Sequence, residues 1–307
     1  MVDSGGTPVP ITFGSPPNSS LITPYQFSYA IDPSGGPYTL GVFTSSFNVI
    51  GPANTITVPV AIVKTASTTF PPMIGSITNA ASQIVGALAP GEIIAIRGFA
   101  VGPPNTTFFT MDPSGRIATS YSGTQVLFDG QPAPIIYASP NQVNAIVPYE
   151  VASKSFTNIE IAYDGIKSAA WGVPVATSVP AIFTLDGTGV GRAAALNQDN
   201  TVNDPSNPAP RGTFVQIYAT GEGQTLPAGV TGSITRSSGI APALKVTATV
   251  GGLSAPVQWY GETPESVTGL LAANVVLPFE LAPGPAVPVT LTIGDRTSAV
   301  GTTIAVK

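Results

Sequence analysis

The chain has 307 residues but only 27 charged side chains, 11 basic and 16 acidic, which is 9% where an ordinary soluble domain carries roughly 25%. It contains no histidine or cysteine, which removes imidazole and thiolate metal sites, Cys or His nucleophile and base pairs, and any disulfide, while a net charge of −5 with eleven scattered Lys and Arg argues against nucleic acid. Its 33 glycines and 32 prolines would suggest disorder, but a 43% hydrophobic content is that of a chain that folds.

Residues 1–24 read as an extended, Pro-rich arm. Within it Val9, Ile11 and Phe13 alternate with Pro10 and Thr12, the pattern of a strand with one apolar side, and Pro10 confines that strand to a position needing no N–H. The segment is a candidate donor strand; the bland alternative is a loose leader. Asn18-Ser19-Ser20 is a glycosylation triplet. The first 25 residues lack a basic region followed by an apolar core, so a secretory signal is either missing or already removed.

From 25 to 70 the apolar period is two: Tyr25, Phe27, Tyr29 and Ile31 alternate with smaller or polar residues, as do Val58, Val60 and Ile62. Four strand candidates, near 25–31, 38–43, 47–50 and 56–63, predict a small and incomplete immunoglobulin-like domain, because a sandwich of that type needs about seven. Such a half-finished sandwich exposes an apolar face and open edges that another chain can complete.

Residues 71–177 and 178–307 form an internal repeat. The run from Val126 to Ala152 matches that from Thr249 to Ala282, with Gly130 on Gly252, Pro134 on Pro256, Tyr137 on Trp259, Asn144 on Asn274 and Pro148 on Pro278; GEIIAIRG from Gly91 matches GTFVQIYA from Gly212. The second copy has a longer loop around 262–271. Turn pairs at Asp129-Gly130, Asp164-Gly165, Asp186-Gly187 and Gly251-Gly252 separate strand-sized segments, so the expected fold is all-β, tandem immunoglobulin-like sandwiches behind an extended arm. Pro and Gly break every uncharged stretch before about 18 apolar residues accumulate, which predicts no membrane span.

Several groups are candidates for chemistry. Glu262 with Glu265, Asp199 with Asp204, and Glu150 with Glu160 are the carboxylate pairs available for glycoside hydrolysis, each with a plainer reading as loop, turn or strand-flanking residues. Asn197, Asp199, Asn200, Asn203 and Asp204 offer oxygen ligands but lack the spacing of a calcium loop and suit Asx turns. The GxGxG run at Gly187, Gly189 and Gly191 has no helix after it to present to a phosphate. Trp171, Trp259 and Tyr260 are candidate sugar-stacking residues, against the ordinary role of core or seam filling. Asn105-Thr106-Thr107 is a second glycosylation triplet.

The phrases LAPGEIIAIRG, GTQVLFDGQPAPIIYASPNQVNAIVPYEVA, TGEGQT and LPFELAPGPAVPVTLTIG resemble the Solibacter-type C-terminal domain, a family of unknown function at the ends of large secreted bacterial proteins. The resemblance covers about residues 72–307. It implies export and TIG-like immunoglobulin folds, and it brings no catalytic residues. GGPYTLGVFTSSFNVIGPANTITVPVAIV resembles more loosely the last strands of BACON-type modules. Together these point to a non-catalytic extracellular or cell-surface protein with no cofactor and no metal, a homopolymer built by strand donation. The alternative is a monomeric adhesion or carbohydrate-binding module whose partners are glycans.

Overall fold

The computed structural model describes residues 11–13, 29–31, 41–50, 55–64, 71–236 and 239–307. They fall into two units, Met1–Phe70 and Pro71–Lys307. Among the described residues there is no α-helix, and no helix is long and apolar enough to cross a membrane.

In the first unit the described strands make two separate antiparallel pairs. Ile11–Phe13 pairs with Tyr29–Ile31, three residues on each side, and Gly41–Ile50 pairs with Thr55–Lys64 in an unbroken ten-residue register from Gly41↔Lys64 to Ile50↔Thr55. One expectation changes here. The segments near 38–43 and 47–50 fall in one strand from Gly41, because Thr44-Ser45-Ser46 carries neither Gly nor Pro to break it and pairs in unbroken register with Ala61, Val60 and Pro59. In the arm, the candidate donor residues Ile11 and Phe13 sit opposite Ile31 and Tyr29 of their own chain. Val9 and Asn18 lie outside the described residues.

The second unit holds two sandwiches in tandem. In residues 71–177 one sheet runs in the order Met73–Asn79, Ile93–Phe99, Gln142–Ile146, Ile135–Ala138, Thr107–Phe108. The facing sheet contains Ile166–Lys167, Phe156–Tyr163, Thr124–Phe128 and Gln131–Ala133, with Trp171–Pro174 also beside Phe156–Tyr163. Their inward residues, Ile77, Ile94, Ile96 and Val143 against Val126, Phe128, Ile159 and Ile161, form one buried core. In 178–307 the same two-layer arrangement packs Val215, Ile217, Ala273 and Val275 against Val246, Val250, Val289 and Leu291.

The sequence repeat is a repeat of hydrogen bonds. In the first sandwich Ile93 opposes Ile146; in the second, Phe214 opposes Val276. A bulge after Ile135 recurs after Val257. The Gly91 N–H donates to Val147 O at 2.9 Å and the Val147 N–H returns to Glu92 O at 2.9 Å; Gly212 with Leu277, and Leu277 with Thr213, repeat this at 2.8 Å each. Three of the four expected hairpin dipeptides take left-handed φ at both residues, Asp129 (48°) and Gly130 (84°), Asp164 (46°) and Gly165 (79°), and Gly251 (57°) and Gly252 (81°); at Asp186-Gly187 only the glycine does (69°).

Candidate functional site: a buried acidic seam

The lower end of the first sandwich sits on the upper end of the second. Ile93 and Ile146 carry the apolar part of this contact, with Ile117, Phe183, Ile234, Val267 and Leu270 packed around them. Backbone bonds stitch its rim: Ile117 N–H to Gly232 O at 2.8 Å, Tyr149 N–H to Thr231 Oγ1 at 3.0 Å, and Ile93 N–H to Thr220 Oγ1 at 2.9 Å. Glycines let the chains touch. A Cβ on Gly269, which has φ +87°, would overlap Gly91 O, and one on Gly221 would overlap Val179 O in the linker.

Two carboxyl groups meet at this contact and a third is buried beside it in the first sandwich, although the chain has only 16 acidic residues. Glu92, Glu222 and Glu262 are all buried. Glu262 closes the strand Val257–Glu262 and is met by four donors: Thr235 Oγ1, Thr268 Oγ1 at 2.5 Å, Tyr149 OH at 3.0 Å and the Gly269 N–H at 3.4 Å. Glu222 follows the strand Phe214–Thr220, held between Gly221 and Gly223, whose φ of 80° and 81° lets the backbone press onto the linker. Its Oε1 lies 3.4 Å from Tyr149 OH, and its Oε2 has no described donor. Burial and the neighbouring Glu262 charge both push the Glu222 carboxyl well above the usual carboxylate range.

Glu92 behaves in the same way. Its Oε2 accepts the Ala89 N–H at 2.7 Å while Oε1 has no described partner, and burial raises its pKa to about 8, the Ala89 amide offsetting part of the shift. Burial, with Glu222 and Glu262 close by, also drives the Tyr149 phenol upward, so it acts as a neutral donor. The four described ion pairs lie elsewhere, at the surface, and involve none of the three glutamates. Burial thus favours the neutral acid at Glu92 and Glu222, while hydrogen bonds from Thr235, Thr268, Tyr149 and Gly269 surround Glu262. A cavity of about 300 Å³ opens nearby, lined by Arg116, Ile117, Pro148, Glu150, Lys154 and Thr231 among others, and none of the three buried glutamates lines it.

The carboxylate pairs expected from sequence are not brought together. Glu262 is buried whereas Glu265 is exposed in the turn beyond it. Asp199 and Asp204 each close a local turn, Asp199 Oδ1 accepting from Thr201 and Asp204 Oδ1 from Ser206, with Arg192 on the other Asp204 oxygen. Glu150 accepts from Thr231 Oγ1 and Glu160 pairs with Lys167. Asn203 donates to Asn197 Oδ1 and exchanges bonds with Ala305 of the strand ending at Val306, Asn197 donates to Asn207 O, Asn200 takes a left-handed turn conformation, and no cluster of three or more Asp or Glu side chains able to hold a metal occurs among the described residues. Gly189, within the GxGxG run, packs on Ser82 O across the seam.

The aromatic candidates are also dispersed. Trp171, 36% exposed, stands opposite Ile159 in the first sandwich. Trp259 and Tyr260 are successive residues of one strand in the second and so face opposite ways, Tyr260 against the core. Asn105 is exposed, as a glycan site would need. Sequence reasoning misses Glu92, Glu222 and Tyr149. The one signal for them is Gly221-Glu222-Gly223, a charge between two glycines directly after a buried strand. No protein-family model matches the chain, and no curated protein matches it.

Proposed function

We propose that the chain is a non-catalytic, extracellular structural protein, built of immunoglobulin-like modules, that polymerises by exchanging β-strands between neighbouring subunits. The observation that carries this reading is the pairing in the first unit. Among the described residues its strands form only two-stranded ribbons, and a ribbon of two strands buries too little to stand alone in water. The ten-residue pair Gly41–Ile50 and Thr55–Lys64 offers long edges for a third strand. The three-residue ladder between Ile11–Phe13 and Tyr29–Ile31 is short enough to be given up for such an edge on a neighbour, as in domain swapping.

Two further points support the reading. A chain whose faces are covered by neighbours has little need of surface charge, and only 9% of this one is charged. The resemblance of residues 72–307 to a domain of large secreted proteins favours a location outside the cell. Electron microscopy of purified protein is the test. Filaments lost on deleting residues 1–14 are the expected result; uniform single particles at every concentration would favour the monomeric adhesion module instead.

A further inference from the structure

The internal repeat places one docking surface on the molecule twice, and only one of the two is covered. In the first sandwich the lower end consists of Gly91, the opposed pair Ile93 and Ile146, then Pro148 and Tyr149; all are buried under the second sandwich. The matching residues of the second sandwich are Gly212, the opposed pair Phe214 and Val276, Pro278 and Phe279. Gly212 and Phe279 are exposed and the other three half-exposed. Tyr149 is 3% exposed and Phe279 75%. Even the local fit recurs, for a Cβ on Gly91 would strike the Tyr149 ring and one on Gly212 the Phe279 ring.

The covered copy shows what such an end accepts: the opposite end of a sandwich, there built from Thr220, residues 231–235 and the loop 262–270. We infer that the bare end formed by Gly212, Phe214, Val276, Pro278 and Phe279 docks the upper end of the first sandwich of a second copy of this chain. That upper end is the turn Ser139–Asn141 with Phe108 beside it, 66% exposed and stacked edge-on against Tyr137. The contact inside the chain is head-to-tail, and repeating it between chains leaves one bare end at each step, so it lengthens without closing. The inference deepens the polymer reading and rests on it, but it names a different surface from the strand ribbons of the first unit.

Sedimentation velocity of the full chain across concentration, with Phe279→Glu, Phe108→Glu and a deletion of residues 1–14, separates the two. Phe279 is exposed, so the unfolding midpoint of Phe279→Glu is expected to match the parent and serves as the folding control. The expected result is a series of growing oligomers that either aromatic-to-Glu change weakens at least tenfold. Association unchanged in Phe279→Glu but lost without the arm overturns end docking and leaves strand exchange standing. Association lost in Phe279→Glu but kept without the arm supports end docking and overturns strand exchange. A discrete dimer that never grows, or a monomer at every concentration, overturns the head-to-tail contact.

Discussion

Tyr149 and Phe279 occupy the same place in two copies of one sandwich, after the same proline and over the same glycine, yet their surroundings are opposite. Tyr149 reaches into a buried contact where its hydroxyl lies within bonding distance of Glu262, Glu222 and Thr268. Phe279 has no hydroxyl and lies open. An exposed apolar ring is tolerated on any surface, whereas a buried phenol among carboxyls requires a partner for each polar atom. The second sandwich therefore shares the apolar end of the first. It keeps an apolar docking face, and the first copy adds hydrogen-bond chemistry to the same face.

The greatest loss is expected at Tyr149. Tyr149→Ala removes a buried ring and leaves Glu262 short of a donor, so a drop of about 3–5 kcal/mol in unfolding free energy is expected from urea titration. If Tyr149→Ala costs no more than the matching Phe279→Ala, the seam is not the stabilising contact described.

Next comes pH. The Glu92 pKa is raised from 4.5 to about 8 in the folded state, and Glu222 is shifted in the same direction. Between those limits the unfolded chain has released the proton that the folded chain still holds. Stability contributed by each group is thus complete below pH 4.5 and is lost as pH rises toward the folded pKa, with a slope of about 1.4 kcal/mol per pH unit per carboxyl. At low pH the sign reverses for Asp129, whose pKa the Lys154 ammonium and the Asn158 amide lower from 3.8 to about 2, so its contribution is lost as pH falls through that range. The protein should be more stable at pH 5 than at pH 8. Glu92→Gln should flatten that slope, and urea midpoints in the two buffers check it; an unaltered slope would mean that Glu92 ionises freely in the fold.

Much of the fold is legible in the residues themselves. Asp129-Gly130, Asp164-Gly165 and Gly251-Gly252 announce hairpins because only such pairs accept two left-handed residues in succession, and the repeat follows from proline, asparagine and glycine positions in register. The seam is not legible in that way. Glu92 stands in the apolar run LAPGEIIAI and reads as a polar start to a strand; its neighbours Gly91 and Ile93 are covered by Gly269 and Thr220, more than 120 residues away in sequence. Glu262 is conspicuous in the sequence but invites pairing with its neighbour Glu265, whereas the fold brings it to Glu222 instead. Aligning Pro148 with Pro278 sets Tyr149 opposite Phe279, but only the burial of one and exposure of the other gives that match meaning.

Smaller effects are expected at the bare end. Gly212 has φ +81°, so Gly212→Ala should cost about 1–2 kcal/mol from backbone strain alone. Gly91→Ala should cost more, because its Cβ meets the fixed Tyr149 ring rather than the movable ring of Phe279. Equal losses in thermal unfolding would mean that the two rings are equally held. Phe279→Ala itself should change stability by no more than about 0.5 kcal/mol in dilute solution.

Amide hydrogen exchange of the full chain at low and high protein concentration, followed at both repeats, puts the docking face itself on trial. Residues 212–214 and 276–281 should gain protection as concentration rises, while 91–93 and 146–149, already covered, stay unchanged. Protection at 212–214 and 276–281 that is the same at every concentration would contradict the claim that this end is a docking face awaiting a second copy.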